Sequence, residues 1–161
     1  MIYFTAVNSI KKDSKYFQEI LNKKDVLDTL IWGITELSNS TFKRIKNGDY
    51  ICFYYKFNII GISKVVETKI DKNVSDKIFG SYNHNFKGVT YWSNLLYLTN
   101  FKNVNVPFDF FIKLGNYSPK FSVRKLIGIN QKSTDEIFKK FKSFDDFITE
   151  TIKENGTQQC I

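Results

Sequence analysis

The segment Tyr50-Ile-Cys-Phe-Tyr-Tyr, followed closely by Ile59-Ile-Gly-Ile-Ser-Lys-Val-Val66, constrains this chain more than any other part of its sequence. Both runs are built from β-branched and aromatic residues, and the Phe57-Asn58 step between them reads as a turn, so they form a β-hairpin. A hairpin is not stable alone. It needs further strands with an apolar face, or helices packed against it.

The rest of the chain supplies these partners. Ile2–Val7 reads as a strand ending at Asn8, and Asp13 or Ser14 caps a helix through Lys15–Leu21. After the brief apolar run Thr29–Ile34, Asn39 or Ser40 caps a short helix through Phe42 and Ile45 that stops at Asn47-Gly48. Residues 68–90 are polar and irregular, with one helical turn around Val74–Phe79. Leu95–Val106 reads as one or two strands closed by Pro107, Phe108–Leu114 as a connecting helix and Phe121–Ile129 as a strand. Two helices finish the pattern, one opened by the capping box Ser133-Thr-Asp-Glu136 and one by Ser143. The expectation is a single α+β domain over residues 1–156, with a twisted or barrel-like mixed sheet and helices around it, and residues 157–161 as a tail or the start of a linker.

Composition narrows the function. A chain of 161 residues buries roughly 70% of its unfolded surface, so it needs no covalent staples. Cys52 and Cys160 are too few for a disulfide scaffold or a cysteine-ligated zinc site. No basic leader precedes an apolar run, and no apolar stretch approaches the roughly 20 residues that cross a bilayer, so the expected setting is cytoplasmic, with no membrane partner. A Ser-His-Asp or Cys-His site would have to run through the single histidine, His84, which lies in a polar stretch. There is no phosphate-binding glycine loop, and no carboxylate pair stands out, so neither a cofactor nor a catalytic residue is expected.

The positive signals are charge and aromaticity. Lys and Arg number 24 against 16 Asp and Glu, a net charge of +8, and 17% of the residues are aromatic. Polyanions suit the first property and base stacking the second. Arginine is scarce, which singles out Arg44 and Arg124 as bidentate phosphate or base partners. Lys120 and Lys125 lie with Arg124 on or beside a strand, and Lys11, Lys12 and Lys15 follow Asn8. The plain alternative is a solvated surface written by a lysine-rich composition.

The phrase Gly48-Asp-Tyr-Ile-Cys-Phe, with Ile60-Gly-Ile-Ser in the return strand, resembles the hairpin of the PUA-like superfamily. Around it stand Tyr3–Val7 ending in Asn8-Ser9, an isolated Ile31-Trp-Gly33, an aromatic segment, Val106-Pro-Phe108 and Phe121-Ser-Val-Arg124. In that order, across residues 1–130, they resemble the EVE and YTH branch of that superfamily. The resemblance implies a domain that flips one modified base into an aromatic cage. YTH domains do this for N6-methyladenine in RNA, and EVE-like domains of archaeal McrB-type restriction proteins do it for methylated DNA. It also implies partners: methylated double-stranded DNA, a GTPase domain in the parent chain and a separate nuclease subunit.

By the same resemblance Trp32 is the first cage wall and Asn8 bonds the base edge. Trp32 also reads as an ordinary core residue of an apolar pentad, and Asn8 as a turn former. Trp92 and Tyr91, then Tyr82 and Phe86, are candidates for the second wall. Ser63 and Tyr54 face the pocket only if the hairpin's alternation has the right phase. Three readings stay open: a reader of modified DNA, a stand-alone reader of modified RNA, and a ligand- or protein-binding domain whose aromatics are all core.

Overall fold

The computed structural model describes residues 1–7, 29–79, 82–84, 88–90 and 92–156, of which 82–84, 88–90 and 152–156 are described by their backbone alone. The helix expected over Lys15–Leu21 lies outside these residues.

Strand β1 (Ile2–Ala6) pairs in parallel with β3 (Tyr50–Tyr55), which turns antiparallel into β4 (Asn58–Ile70). β4 pairs along its length with β7 (Asn94–Pro107), and β7 pairs with β2 (Leu30–Ile34). A two-residue strand, β8 (Ile127–Gly128), closes the other edge against β1, giving the order β2-β7-β4-β3-β1-β8. A small separate hairpin joins β5 (Tyr82–His84) to β6 (Gly88–Thr90). Among the described residues the helices are α1 (Asn39–Phe42), α2 (Lys72–Ile78), α3 (Phe108–Leu114), α4 (Gln131–Lys140) and α5 (Phe144–Gly156). None of the described helices is long and apolar enough to cross a membrane.

The unbroken apolar run of β3 follows from burial on both faces. Cys52 and Tyr54, with Ile2 and Phe4 of β1, face a first core built with Phe108 and Phe111 of α3, Ile137 of α4, and Phe144, Phe147 and Ile148 of α5. Burial pushes the Cys52 thiol pKa well up. Ile51 and Phe53, with Tyr3, face a second core that includes Leu30, Trp32 and Ile34 of β2, Leu96 and Leu98 of β7, and Phe42 and Ile45. Trp32 Nε1 donates to Thr5 Oγ1 at 3.3 Å across this core. β2 and β1 are four strand steps apart in the sheet, about 19 Å if it were flat. The sheet is therefore curled upon itself, with register shifts along β4 at Ile59/Gly61, Ile62/Lys64 and Val65/Glu67 accommodating the bend.

Local chemistry explains several departures from the expected pattern. The hairpin turn is Lys56-Phe57 rather than Phe57-Asn58: both residues have positive φ, 43° and 64°, and Tyr55 pairs with Asn58. β4 runs past Val66 to Ile70, because β7 offers it partners as far as Asn94, and a hairpin follows α2 where irregular chain was expected. α1 begins at Asn39 after a 3-10 turn over Glu36–Ser38, so Ser38, not Asn39 or Ser40, holds the cap position. Of Phe121–Ile129 only Ile127–Gly128 joins the sheet, since Phe121 stacks on Phe108 and Val123 enters the first core instead. α4 starts at Gln131, capped by Asn130 accepting from the Ser133 amide at 2.8 Å, and the Ser133 hydroxyl donates to Leu114 O at 3.0 Å. The Ser143 cap and the bounds of α3 are as expected. Ahead of β3, Gly48 at φ 89° and Asp49, whose Oδ2 accepts from the Lys46 amide at 2.8 Å, form the turn behind the Gly-Asp phrase.

Two bulky residues with positive φ in a two-residue hairpin loop are unfavourable where Asn-Gly is preferred. The exchange Lys56→Asn with Phe57→Gly is expected to raise unfolding free energy by about 1 kcal/mol. Urea denaturation of the two proteins side by side checks this.

Candidate nucleic-acid interface

The sequence places a glycine directly after Trp32, and the structure shows why. A Cβ on Gly33 would stand 2.7 Å from Trp92 Cβ and 2.9 Å from Phe79 Cε2, so these two side chains lie against the bare backbone of β2. The Phe79 ring is 6.4 Å from the Trp32 ring and 6.5 Å from the Trp92 ring, and Phe53 meets Trp32 edge-on at 5.1 Å. Phe79 thus sits between the two indoles at the edge of the sheet.

Polar contacts hold this cluster in place. Asp71 caps α2, accepting from the Val74 amide at 3.0 Å, and the last turn of α2 delivers Phe79. That amide bond, with help from the Lys69 ammonium at 3.3 Å, holds the Asp71 carboxyl below its ordinary pKa. The Asp71 amide donates to Ser93 O at 2.9 Å. The Ser93 hydroxyl donates to Glu36 Oε1 at 3.1 Å, and Asn94 Nδ2 donates to Asn39 Oδ1 at 2.6 Å. The two residues that follow Trp92 are therefore tied to the 3-10 turn and α1.

The site residues expected from sequence divide sharply. Trp32 is 2% exposed, a core ring in this arrangement, whereas Trp92 is half-buried. Ser63 is buried, and its hydroxyl donates to Thr99 O at 2.7 Å. It pairs across from Ile51 of the second core, whereas Tyr54 belongs to the first, so these two share no pocket. Tyr82 and His84 lie on β5, paired through their backbones with Thr90 and Gly88. Asn8, Lys11, Lys12, Lys15, Phe86 and Tyr91 lie outside the described residues.

Arg44, Lys120, Arg124 and Lys125 are all exposed, and none forms an ion pair among the described residues. Lys43, Lys46 and Lys64, which sequence reasoning passed over, share both properties. Except for Lys120, each lies within two residues of a buried member of the second core, Phe42, Ile45, Val65 or Leu126, and Arg124 also adjoins Val123 of the first. These exposed cations form a rim beside the second core, interspersed along the chain with Asp49, held by the Met1 ammonium at 2.7 Å, and the exposed Glu67. Lys120 lies by the first core, beside Phe121. Tyr3 joins core to rim, its hydroxyl donating to Arg44 O at 3.2 Å. Burial, then the Asp49 carboxylate, raises its pKa, and Arg44 partly opposes them. Among the described residues no group of three His, Cys, Asp or Glu side chains is placed to hold a metal ion.

The fold is similar to that of the N-terminal domain of McrB from Thermococcus gammatolerans, solved bound to m5C DNA. The TM-score is 0.53 at 11% identity, over 86% of this chain and 95% of that one. A Pseudomonas syringae structural-genomics protein aligns at TM-score 0.48 and 13% identity over 86% of this chain and 98% of its own. A single-residue variant of the ASCH protein of Zymomonas mobilis aligns at 0.48 and 10%, over 86% and 97%. No protein-family model matches the sequence, and no curated protein does. What is shared is architecture: an α+β domain with a six-stranded mixed sheet and helices packed on it.

Gly33→Val is expected to force Phe79 and Trp92 off β2, at a cost of about 1–3 kcal/mol. Urea denaturation should show the loss, and acrylamide should quench tryptophan emission more strongly than in the wild type.

Proposed function

We propose that this domain is a nucleic-acid recognition module that takes one modified base at the β2 edge and holds the flanking strand on its cationic rim. The observation that carries the reading is the set of exposed cations without acidic partners among the described residues, Lys43, Arg44, Lys46, Lys64, Arg124 and Lys125, beside the second core. The shared fold of a domain solved on m5C DNA supports it. Methylated double-stranded DNA is the partner we favour. The module serves as the targeting part of a restriction-type assembly whose GTPase and nuclease work belongs to other domains or subunits, so this domain performs no catalysis.

In this reading the base enters where Phe79 now lies. Trp92 is the outer wall, Trp32 the inner one, and Phe79 moves aside to admit the base. Asn8 bonds its edge, and Tyr82, Phe86 and Tyr91 complete the pocket. Stacking on an aromatic wall supplies about 1–3 kcal/mol per base. A buried methyl adds about 0.8 kcal/mol, which is the source of selectivity. Extruding a base costs a few kcal/mol, so the phosphate contacts of the rim must offset it.

The test is fluorescence anisotropy at two salt concentrations with duplexes carrying 5-methylcytosine, N6-methyladenine or neither, and with RNA counterparts. The expected result is salt-sensitive binding, tighter for one modified duplex, and a preference that Trp92→Ala lowers by roughly 5- to 150-fold. Tighter binding to modified RNA would move the partner to RNA. Equal affinity for every duplex would overturn base reading, and no binding would overturn the function.

A further inference from the structure

The turn between β3 and β4 has no part in the base pocket, yet it combines three unusual properties. Phe57 is 61% exposed, and both Phe57 and Lys56 have left-handed backbone, which a bulky side chain rarely adopts. The turn is also braced. Phe57 O accepts from the Phe108 amide at 2.8 Å, and Asn58 Nδ2 donates to Lys56 O at 3.2 Å. Behind the Phe57 ring runs an aromatic column: Tyr54 at 6.3 Å, Phe108 at 4.8 Å from Tyr54, then Phe121 at 6.1 Å and Tyr117 at 4.6 Å. An exposed ring on a strained but firmly backed turn is costly for folding alone, and such strain is retained where a contact needs it.

We infer that the Lys56-Phe57 turn is a wedge that inserts the Phe57 ring between base pairs of duplex DNA while Lys56 meets the neighbouring phosphate. Apolar side chains from a rigid element serve this purpose in proteins that bend or open duplexes. Charge favours a polyanion here. Lys56 is exposed on the turn, Lys120 is exposed beside Phe121 at the far part of the column, and the chain carries +8. The turn also lies beside the end of β1, where the Val7 amide donates to Tyr54 O at 2.8 Å. The inference rests on the proposed nucleic-acid role.

The experiment uses the full chain and duplexes with 2-aminopurine at successive positions, whose fluorescence rises when the base unstacks. Wild type, Phe57→Gly and the double exchange Lys56→Asn with Phe57→Gly are compared by 2-aminopurine emission and by anisotropy. The wild type is expected to raise emission at one step. Both variants, whose turns suit the backbone better and so stay folded, should lose that rise and bind at least tenfold more weakly, while binding stays salt-sensitive. Wild-type binding without any rise, or a rise that Phe57→Gly leaves intact, would overturn the wedge and leave the nucleic-acid role standing. Absence of wild-type binding to every oligonucleotide would remove both.

Discussion

The indole of Trp32 reaches across the second core to the Thr5 hydroxyl, and the rest of the structure depends on that contact. A buried indole N–H left without a partner costs about 1–3 kcal/mol, so the strand that carries Trp32 is favoured where Thr5 can accept. β2 is an edge strand joined to the sheet only through β7, and the Trp32 ring on Phe53 and Thr5 brings it back over β3 and β1. Once that edge is turned inward, Gly33 presents bare backbone on the other side of the strand, and Phe79 and Trp92 fill it. The closure of the fold and the place of the half-buried indole are thus one event.

The same architecture separates the charges. Lys102 pairs with Asp145 and Lys113 with Asp109 beside the helices of the first core, and Lys69 and Lys72 pair with Asp71 and Asp76 around α2. Such exposed pairs add little to stability. Their consequence is electrostatic: these acids are taken up by those lysines and Asp49 by the Met1 ammonium at 2.7 Å, while the cations flanking Phe42, Ile45, Val65 and Leu126 have no ion-pair partner among the described residues and keep their field for solvent and any polyanion in it. In the proposed function this cationic rim grips a backbone and the aromatic edge receives a base from it.

Much of this was legible in the sequence where one element decides its own structure. The β3 run is apolar on both faces because both faces are buried, and Ser143 caps α5 as its spacing requires. Where tertiary partners decide, the sequence is silent or misleading. Phe121 and Val123 have the composition of a strand but spend their side chains on the first core. Ser133 looks like a cap, yet its hydroxyl is taken by Leu114 O, leaving the cap to Asn130. The phase of the hairpin, which puts Tyr54 and Ser63 on opposite faces, follows from pairing with β1 and cannot be read within the hairpin itself. The aromatic edge was half visible: Trp32 and Trp92 stand out by type, but the intervening role of Phe79 has no signal beyond Gly33.

Trp32 closes the fold from within the second core and backs the proposed pocket, while Trp92 is the outer wall that an incoming base meets. The chain has only two tryptophans, so the indole region of a proton–nitrogen correlation spectrum contains one resonance for each. The most direct measurement follows both, first in heavy water and then on titration with a 5-methylcytosine duplex. The Trp32 indole proton is expected to exchange slowly, as its bond to Thr5 requires, and the Trp92 resonance to shift on adding the duplex. Rapid exchange of both indoles, or a Trp92 resonance unmoved at saturating duplex, would contradict these roles.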